Sequence, residues 1–162
     1  MTQPLLHRSV DAWLRVPQLV RWCVPVAGMC ALWWSSSRTP SDGLPRLGGP
    51  LVHNAMHVVA YACIAGSVWL AWSRRPAHGP HRLRTIGAWL VAAAYGVVDE
   101  LHQSWVPGRD CSLFDLVSDA SGAALAVLLL GGAVGGSRRW RAGAMLATCG
   151  ALVGVLAATY AG

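Results

Sequence analysis

Read from one end to the other, the chain alternates long apolar runs with short polar breaks. Five runs stand out, near 19–37, 52–72, 84–104, 113–132 and 142–160. As helices, runs of about 20 mostly apolar residues are long enough to cross a hydrocarbon layer of about 30 Å. The breaks differ in character. SSSRTPSDGLPRLGGP is rich in proline and glycine and reads as an irregular connection, SRRPAHGPHRLR is a basic turn, and the glycines of GGAVGGSRRWR end the fourth run. The expected fold is all-α, a multi-pass transmembrane bundle of about five helices. Residues 1–162 form one membrane domain, with no internal repeat and no separate soluble domain. Pro25 falls inside the first run, where neighbouring helices accommodate the bend it imposes. Gly150 and Gly154, four residues apart in the last run, suit close helix packing.

Composition supports the membrane assignment, since 54% of the residues are hydrophobic and only 12% charged. Five soluble helices would lack polar sequence to cover them. The 13 basic residues are all arginine, and their placement alternates. Arg8, Arg15 and Arg21 precede or open the first run, Arg74, Arg75, Arg82 and Arg84 flank the second break, and Arg138, Arg139 and Arg141 flank the fourth. The first and third breaks hold only Arg38, Arg46 and Arg109. Because short cytoplasmic loops retain positive charge, the N-terminus is expected in the cytoplasm and the C-terminus outside. The net charge of +6 is then a topology signal and implies no nucleic-acid partner. The first run resembles a signal peptide in its arginine flank and in the small residues Ser35 and Ser37. Its length and its Trp33-Trp34 end favour an uncleaved helix. The cysteines at 23, 30, 63, 111 and 149 are scattered and show no disulfide or metal spacing.

One segment breaks the apolar pattern. VVDELHQSWVPGRDCSLFDLVSDASG, residues 97–122, holds Asp99, Glu100, Asp110, Asp115 and Asp119, which leaves only Asp11 and Asp42 for the rest of the chain. At 1.5 Å per residue, Asp99, Asp115 and Asp119 fall about 8, 3 and 9 Å below the outer edge of the hydrocarbon layer, and His53, His57 and Tyr61 about 1 to 14 Å below it. Three runs therefore bring polar groups to matching depth. Helical spacing puts His53, His57 and Tyr61 on one face, Asp99, His102 and Gln103 on another with Glu100 about 100° away, and Asp115, Asp119 and Gly122 on a third. Pro107 and Gly108 make the turn that carries Arg109, on its tip or folded back over the acids. Ionisable groups within a bilayer are costly and usually mark function. Structural roles stand beside the functional ones. Ser112 and Asp115 also read as a capping box, Arg109 as a surface counter-ion to Glu100 or Asp110, Tyr61 as an interior hydrogen-bonding aromatic, and the acids as an interhelical network.

Carboxylates beside a histidine suit proton transfer and hydrolysis. His57, Asp99, His102 and Asp119 are also acceptable ligands for a divalent metal, although no zinc-site spacing is present. No cofactor is assigned. Ser104, Ser112, Ser118 and Ser121 sit in no nucleophile elbow, and no phosphate-binding glycine loop occurs.

At these residues the chain resembles the VanZ-like family of small bacterial membrane proteins. The family signature D/E-E-x-x-Q-x-x-x-P-x-R, followed by D-x-x-x-D/N-x-x-G, is matched by Asp99, Glu100, Gln103, Pro107, Arg109, Asp115, Asp119 and Gly122. An earlier signature, D-K-x-x-H-x-x-x-Y, is matched by His57 and Tyr61, with His53-Asn54 in place of its leading Asp-Lys pair, which removes a cation. The resemblance covers about residues 50–130. It implies a bacterial inner-membrane protein, and the name-giving member is linked to teicoplanin-type glycopeptide resistance. The expected function is binding, with or without modification, of an envelope lipid or lipid-linked wall precursor in a polar pocket at the outer leaflet. In an enzymatic version, an acid-base hydrolase or transferase, Asp99 or Glu100 is the general base and His57 or His102 the acid. Asp119 shares that catalytic set. Arg109 clamps an anion, and Gln103, Tyr61 and Asp115 bind substrate. The alternative is a non-catalytic binding or scaffold protein whose polar network orders the bundle. Oligomeric state is open.

Overall fold

A computed structural model of the chain describes residues 5–39, 49–74, 82–109, 111–135 and 139–160. Every regular element among them is helical: α1 (Leu5–Trp13), α2 (Gln18–Ser36), α3 (Gly49–Trp72), α4 (Arg82–Gln103), α5 (Leu113–Gly135) and α6 (Arg139–Tyr160). The five expected runs correspond to α2 through α6, with ends shifted by three residues or fewer. Much of the first break, residues 40–48, lies outside the described residues, as do Arg46, Arg75, Asp110 and Arg138.

Helices within Leu51–Trp72, Leu113–Val134 and Ala142–Tyr160 are long and apolar enough to cross a membrane. By helix length and hydropathy the chain is a multi-pass membrane protein. α2 and α4 match these in length but are less apolar. α2 is rich in tryptophan, and α4 carries Asp99 and Glu100 within the run. The bundle's outside is what lipid requires: Leu19, Val20, Leu90, Leu129, Leu146 and Val153 are among its exposed side chains.

α1 was not foreseen. It is too short to span, and it buries Val10, with Leu14 just beyond its end, in the same apolar cluster as Val134 at the far end of α5. α3 is the central strut, packed on α2, α4, α5 and α6. Its Tyr61, Ile64, Ala65, Val68 and Trp69 meet Ala88 and Ala92 of α4 and Ala123 and Val127 of α5. Small residues set the closest approaches, as expected where no solvent drives helices together. A side chain at Gly122 would run into the α3 backbone at Val58, whose carbonyl carbon and Cα lie 3.0 Å from its Cβ position. At Gly154 of α6, the corresponding obstacle is the α5 backbone nitrogen of Ser118, at 2.9 Å. The Gly150 and Gly154 pair thus does what its spacing suggested.

Antiparallel neighbours create two poles. One collects the end of α2, the start of α3, the end of α4, the start of α5 and the end of α6. Trp33, Trp34, Trp105 and Phe114 are exposed around it, as interfacial anchors are. The opposite pole holds α1, the start of α2 and the end of α3.

Candidate functional site

The buried stripe of α4 runs Thr85, Ala88, Ala92, Gly96, Asp99, Glu100, Gln103. Its small members let α3 and α5 close in, so the carboxylates at its end are carried into the bundle. Gly96 is the decisive small residue for the site. Its Cβ position lies 3.4 Å from the Tyr61 ring, and that clearance lets the phenol reach along α4 to Asp99. Tyr61 O–H donates to Asp99 Oδ2 at 3.4 Å, and Gln103 Nε2 donates to the same oxygen at 3.0 Å. Asp99 and Tyr61 are fully buried.

On α5, Asp119 is fully enclosed beneath the α3 crossing at Gly122. Its Oδ1 lies 3.4 Å from Nδ1 of His57, close enough for an ion pair but not aligned as a hydrogen bond. The His57 ring continues a ladder along α3, edge-on to His53 at 5.1 Å between centroids and stacked toward Tyr61 at 6.3 Å. His53 itself is exposed.

Glu100 reaches forward to the start of α5. The Ser112 N–H donates to Glu100 Oε2 at 2.8 Å, while the Asp115 N–H donates to Ser112 Oγ at 3.4 Å. Ser112 therefore caps α5 as its spacing predicted, but the carboxylate that answers its own N–H comes from α4 rather than from Asp115. A carboxylate at a helix start is well placed electrostatically. The Cys111 thiol faces Glu100, and desolvation together with the nearby Glu100 and Asp115 carboxylates pushes it above the ordinary thiol range.

Arg109 follows Gly108, whose φ of 78° turns the chain where a side chain would strain it. The turn folds Arg109 back over the end of α2. Its Nε donates to the Arg38 carbonyl at 3.1 Å, Nη2 to the Ser35 carbonyl at 3.4 Å and Nη1 to Gln103 Oε1 at 3.4 Å. Through Gln103 it is linked to Asp99, so it folds back from the tip of the turn, with these bonds going to α2 carbonyls and Gln103.

His102 goes elsewhere. It stacks on Trp33 of α2 with centroids 3.7 Å apart, and its Nε2 shares a hydrogen bond of 2.9 Å with Ser37 Oγ. The structure thus brings together His57, Tyr61, Asp99, Glu100, Gln103, Arg109, Asp115 and Asp119 and sets His102 on the α2 side. Two participants were missed. Asn54, one of the two residues standing where the signature has Asp-Lys, donates from Nδ2 to Thr159 Oγ1 of α6 at 3.1 Å. It is an amide three positions before His57, and that spacing was the available signal. The α2 end, with Trp33, Ser35, Ser37 and Arg38, carried no periodic mark.

The cluster is short of hydrogens. His57 Nδ1, Asp99 Oδ1, Glu100 Oε1, Asp115 Oδ1 and both oxygens of Asp119 are buried without a hydrogen-bonding partner. Five of those six atoms are carboxyl oxygens. Among the described residues, no three His, Cys, Asp or Glu side chains are arranged to hold one metal ion.

A family profile described as VanZ/LLP1 matches residues 9–133, which include every residue of this cluster. The chain belongs to the VanZ/LLP1 family. No curated protein and no solved structure matches it. The VanZ/LLP1 match extends well beyond residues 50–130 on the N-terminal side and takes in α2, whose end Arg109 grips. What is established is therefore a VanZ/LLP1 membrane protein with a polar cluster built from α3, α4, α5 and the α4–α5 turn.

Proposed function

We propose that this VanZ/LLP1 protein binds an envelope lipid at its carboxylate-bearing pole, with an amine-bearing headgroup entering the cluster. The observation that carries the reading is the surplus of buried acceptors. A carboxylate kept from water without donors costs several kilocalories per mole, and two helices, α4 and α5, hold such oxygens side by side. An ammonium brings three N–H donors and a positive charge, which complements Asp99, Glu100 and Asp119 in both respects. Arg109, fixed by Ser35, Arg38 and Gln103, is placed to receive the phosphate that accompanies such an amine. His57 with Asp119 is the acid–base pair available for proton transfer to a bound headgroup. The arginine pattern supports an outer-leaflet position for this pole, where an envelope lipid would be met.

The test uses a headgroup without chains. Glycerophosphoethanolamine should bind the purified protein in detergent, and glycerophosphocholine, whose nitrogen has no N–H, should bind at least about tenfold more weakly. Asp119→Asn should remove the preference. Equal affinity for the two would overturn the proposal.

A specific observation favours a second reading, in which the network is structural. Each of Asp99 and Glu100 already spends one oxygen on the fold, the former on Tyr61 and Gln103, the latter on the cap of α5. Glu100→Gln keeps an oxygen for the Ser112 N–H and removes the charge. A stable Glu100→Gln protein with unchanged headgroup binding and phenotype would favour that scaffold role.

A further inference from the structure

Away from the carboxylates, α2 and α3 part along an apolar groove of about 400 Å³, walled by Val24, Gly28, Ala31 and Leu32 on one side and Ala60, Cys63 and Ile64 on the other. Ser67, at its deep end, turns its hydroxyl back to the Ile64 carbonyl at 2.8 Å and so offers the groove no unmet polar group. The groove ends at Ser35. From Val24 to Ser35 a helix rises about 16 Å, close to half of a 30 Å hydrocarbon layer. Ser35 is also the residue whose carbonyl holds Arg109, and Arg38 lies just past it with its guanidinium over the Trp34 ring. The groove therefore has the depth of one leaflet, an apolar lining, and two cations at its polar mouth.

We infer that this groove seats one acyl chain of a glycerophospholipid, whose phosphate lies at Arg109 and Arg38. The inference rests on the lipid-binding reading above and adds where the chain goes. Depth selects the occupant. A straight hydrocarbon tail entering from the interface fills a slot about 16 Å long and leaves its phosphate at the mouth. Charge selects the class, since the cationic mouth matches a phosphodiester. A second copy of this chain would need a helix to fill the slot, and the arginines at the mouth would meet their own like charges.

Gly28 is what keeps the slot open. Its Cβ position stands 3.7 Å from Ile64 Cγ1, an ordinary contact, so a larger side chain fits there only by occupying the groove. The test replaces Leu32 with a diazirine analogue of leucine, in protein extracted from phospholipid nanodiscs into detergent and washed before illumination. The adduct mass identifies the occupant. A phospholipid adduct at Leu32 should exceed that at Leu152, an exposed position on α6, by about tenfold. Gly28→Leu, or Ala31→Phe where the former fails to fold, should abolish the excess, and Arg109→Gln should reduce it roughly fivefold. Equal adducts at the two positions, a covalent protein dimer, or an excess that survives both groove-filling substitutions would overturn the inference. Retained binding of glycerophosphoethanolamine in those cases would show that only the chain site has failed, since that probe has no acyl chain.

Discussion

The two poles of the bundle solve the problem of polar groups in lipid in opposite ways. At the α1 pole, Arg21 is buried and its Nη1 donates to the Leu70 and Ser73 carbonyls at 3.2 and 2.7 Å, closing the end of α3 with a cation where the helix dipole favours one. Trp69 Nε1 donates to Thr85 Oγ1 at 3.2 Å, and Arg84 lies 3.8 Å over the same indole. The atoms left over there, such as Trp13 Nε1 and Arg21 Nε, are donors. At the opposite pole five of the six left over, all but His57 Nδ1, are carboxyl oxygens. One pole caps the fold's own carbonyls. The other holds acceptors that the fold does not use up, and that imbalance separates a structural polar cluster from a candidate binding site.

The largest expected effects test how rigidly each pole is built. Gly122→Leu drives a side chain into the α3 backbone at Val58 and should cost about 3 kcal/mol or prevent folding, seen as loss of the monodisperse peak in size-exclusion chromatography. At Gly87, near the other pole, an added Cβ meets only the ring of Trp72, at 2.8 Å, and that side chain is exposed and able to turn. Gly87→Ala should therefore cost less than about 1 kcal/mol. Next in size is the charge comparison. Arg21→Met strands two carbonyls and should lower stability by about 1–3 kcal/mol, read from thermal unfolding in detergent. Asp119→Asn supplies N–H donors to an acceptor-rich site and should change stability by less than about 1 kcal/mol while removing amine binding. A strong loss of stability in Asp119→Asn would erase the distinction between the poles. Trp33→Ala, which strips the stacking partner from His102, should cost about 1 kcal/mol and leave headgroup binding intact.

The smallest effect is chemical. Because burial and the facing carboxylates raise the Cys111 thiol, its thiolate fraction at pH 8 is low and alkylation is slow. Glu100→Gln removes one of those charges, the thiol falls back toward its ordinary value, and iodoacetamide should react about two- to threefold faster. An unchanged rate would mean that Glu100 does not face the thiol.

The sequence announced the spanning helices because apolar length is an imposed requirement of the bilayer. It could not announce α1, whose nine residues are too few to register as a span and whose buried Val10 finds its partners only across the fold. At the site, helical spacing was enough to place Asp99 with Gln103 and His57 with Tyr61, since each pair lies four residues apart on one face. His102 shows where spacing ends. It lies about 60° to one side of Asp99 and Gln103 about 40° to the other, so which neighbour each meets depends on whether α2, α3 or α5 stands there. Arg109 was ambiguous for a related reason: a glycine turn fixes where the chain reverses but not which helix end the side chain lands on. The capping of Ser112 was legible from its spacing to Asp115, whereas the donation to Glu100 joins residues twelve positions apart through a turn and had no local trace.

Homology and packing draw different borders in this molecule. The shared family segment stops at residue 133, yet α6 lies beyond it, so close that a Cβ added at Gly150 would fall 2.7 Å from the Ser121 hydroxyl, with Gly154 against Ser118 and Thr159 bound to Asn54. A fragment trimmed to the homologous segment would turn the serine-bearing side of α5 toward acyl chains and strip Asn54 of its companion. Anyone preparing this protein for study should keep the sixth helix.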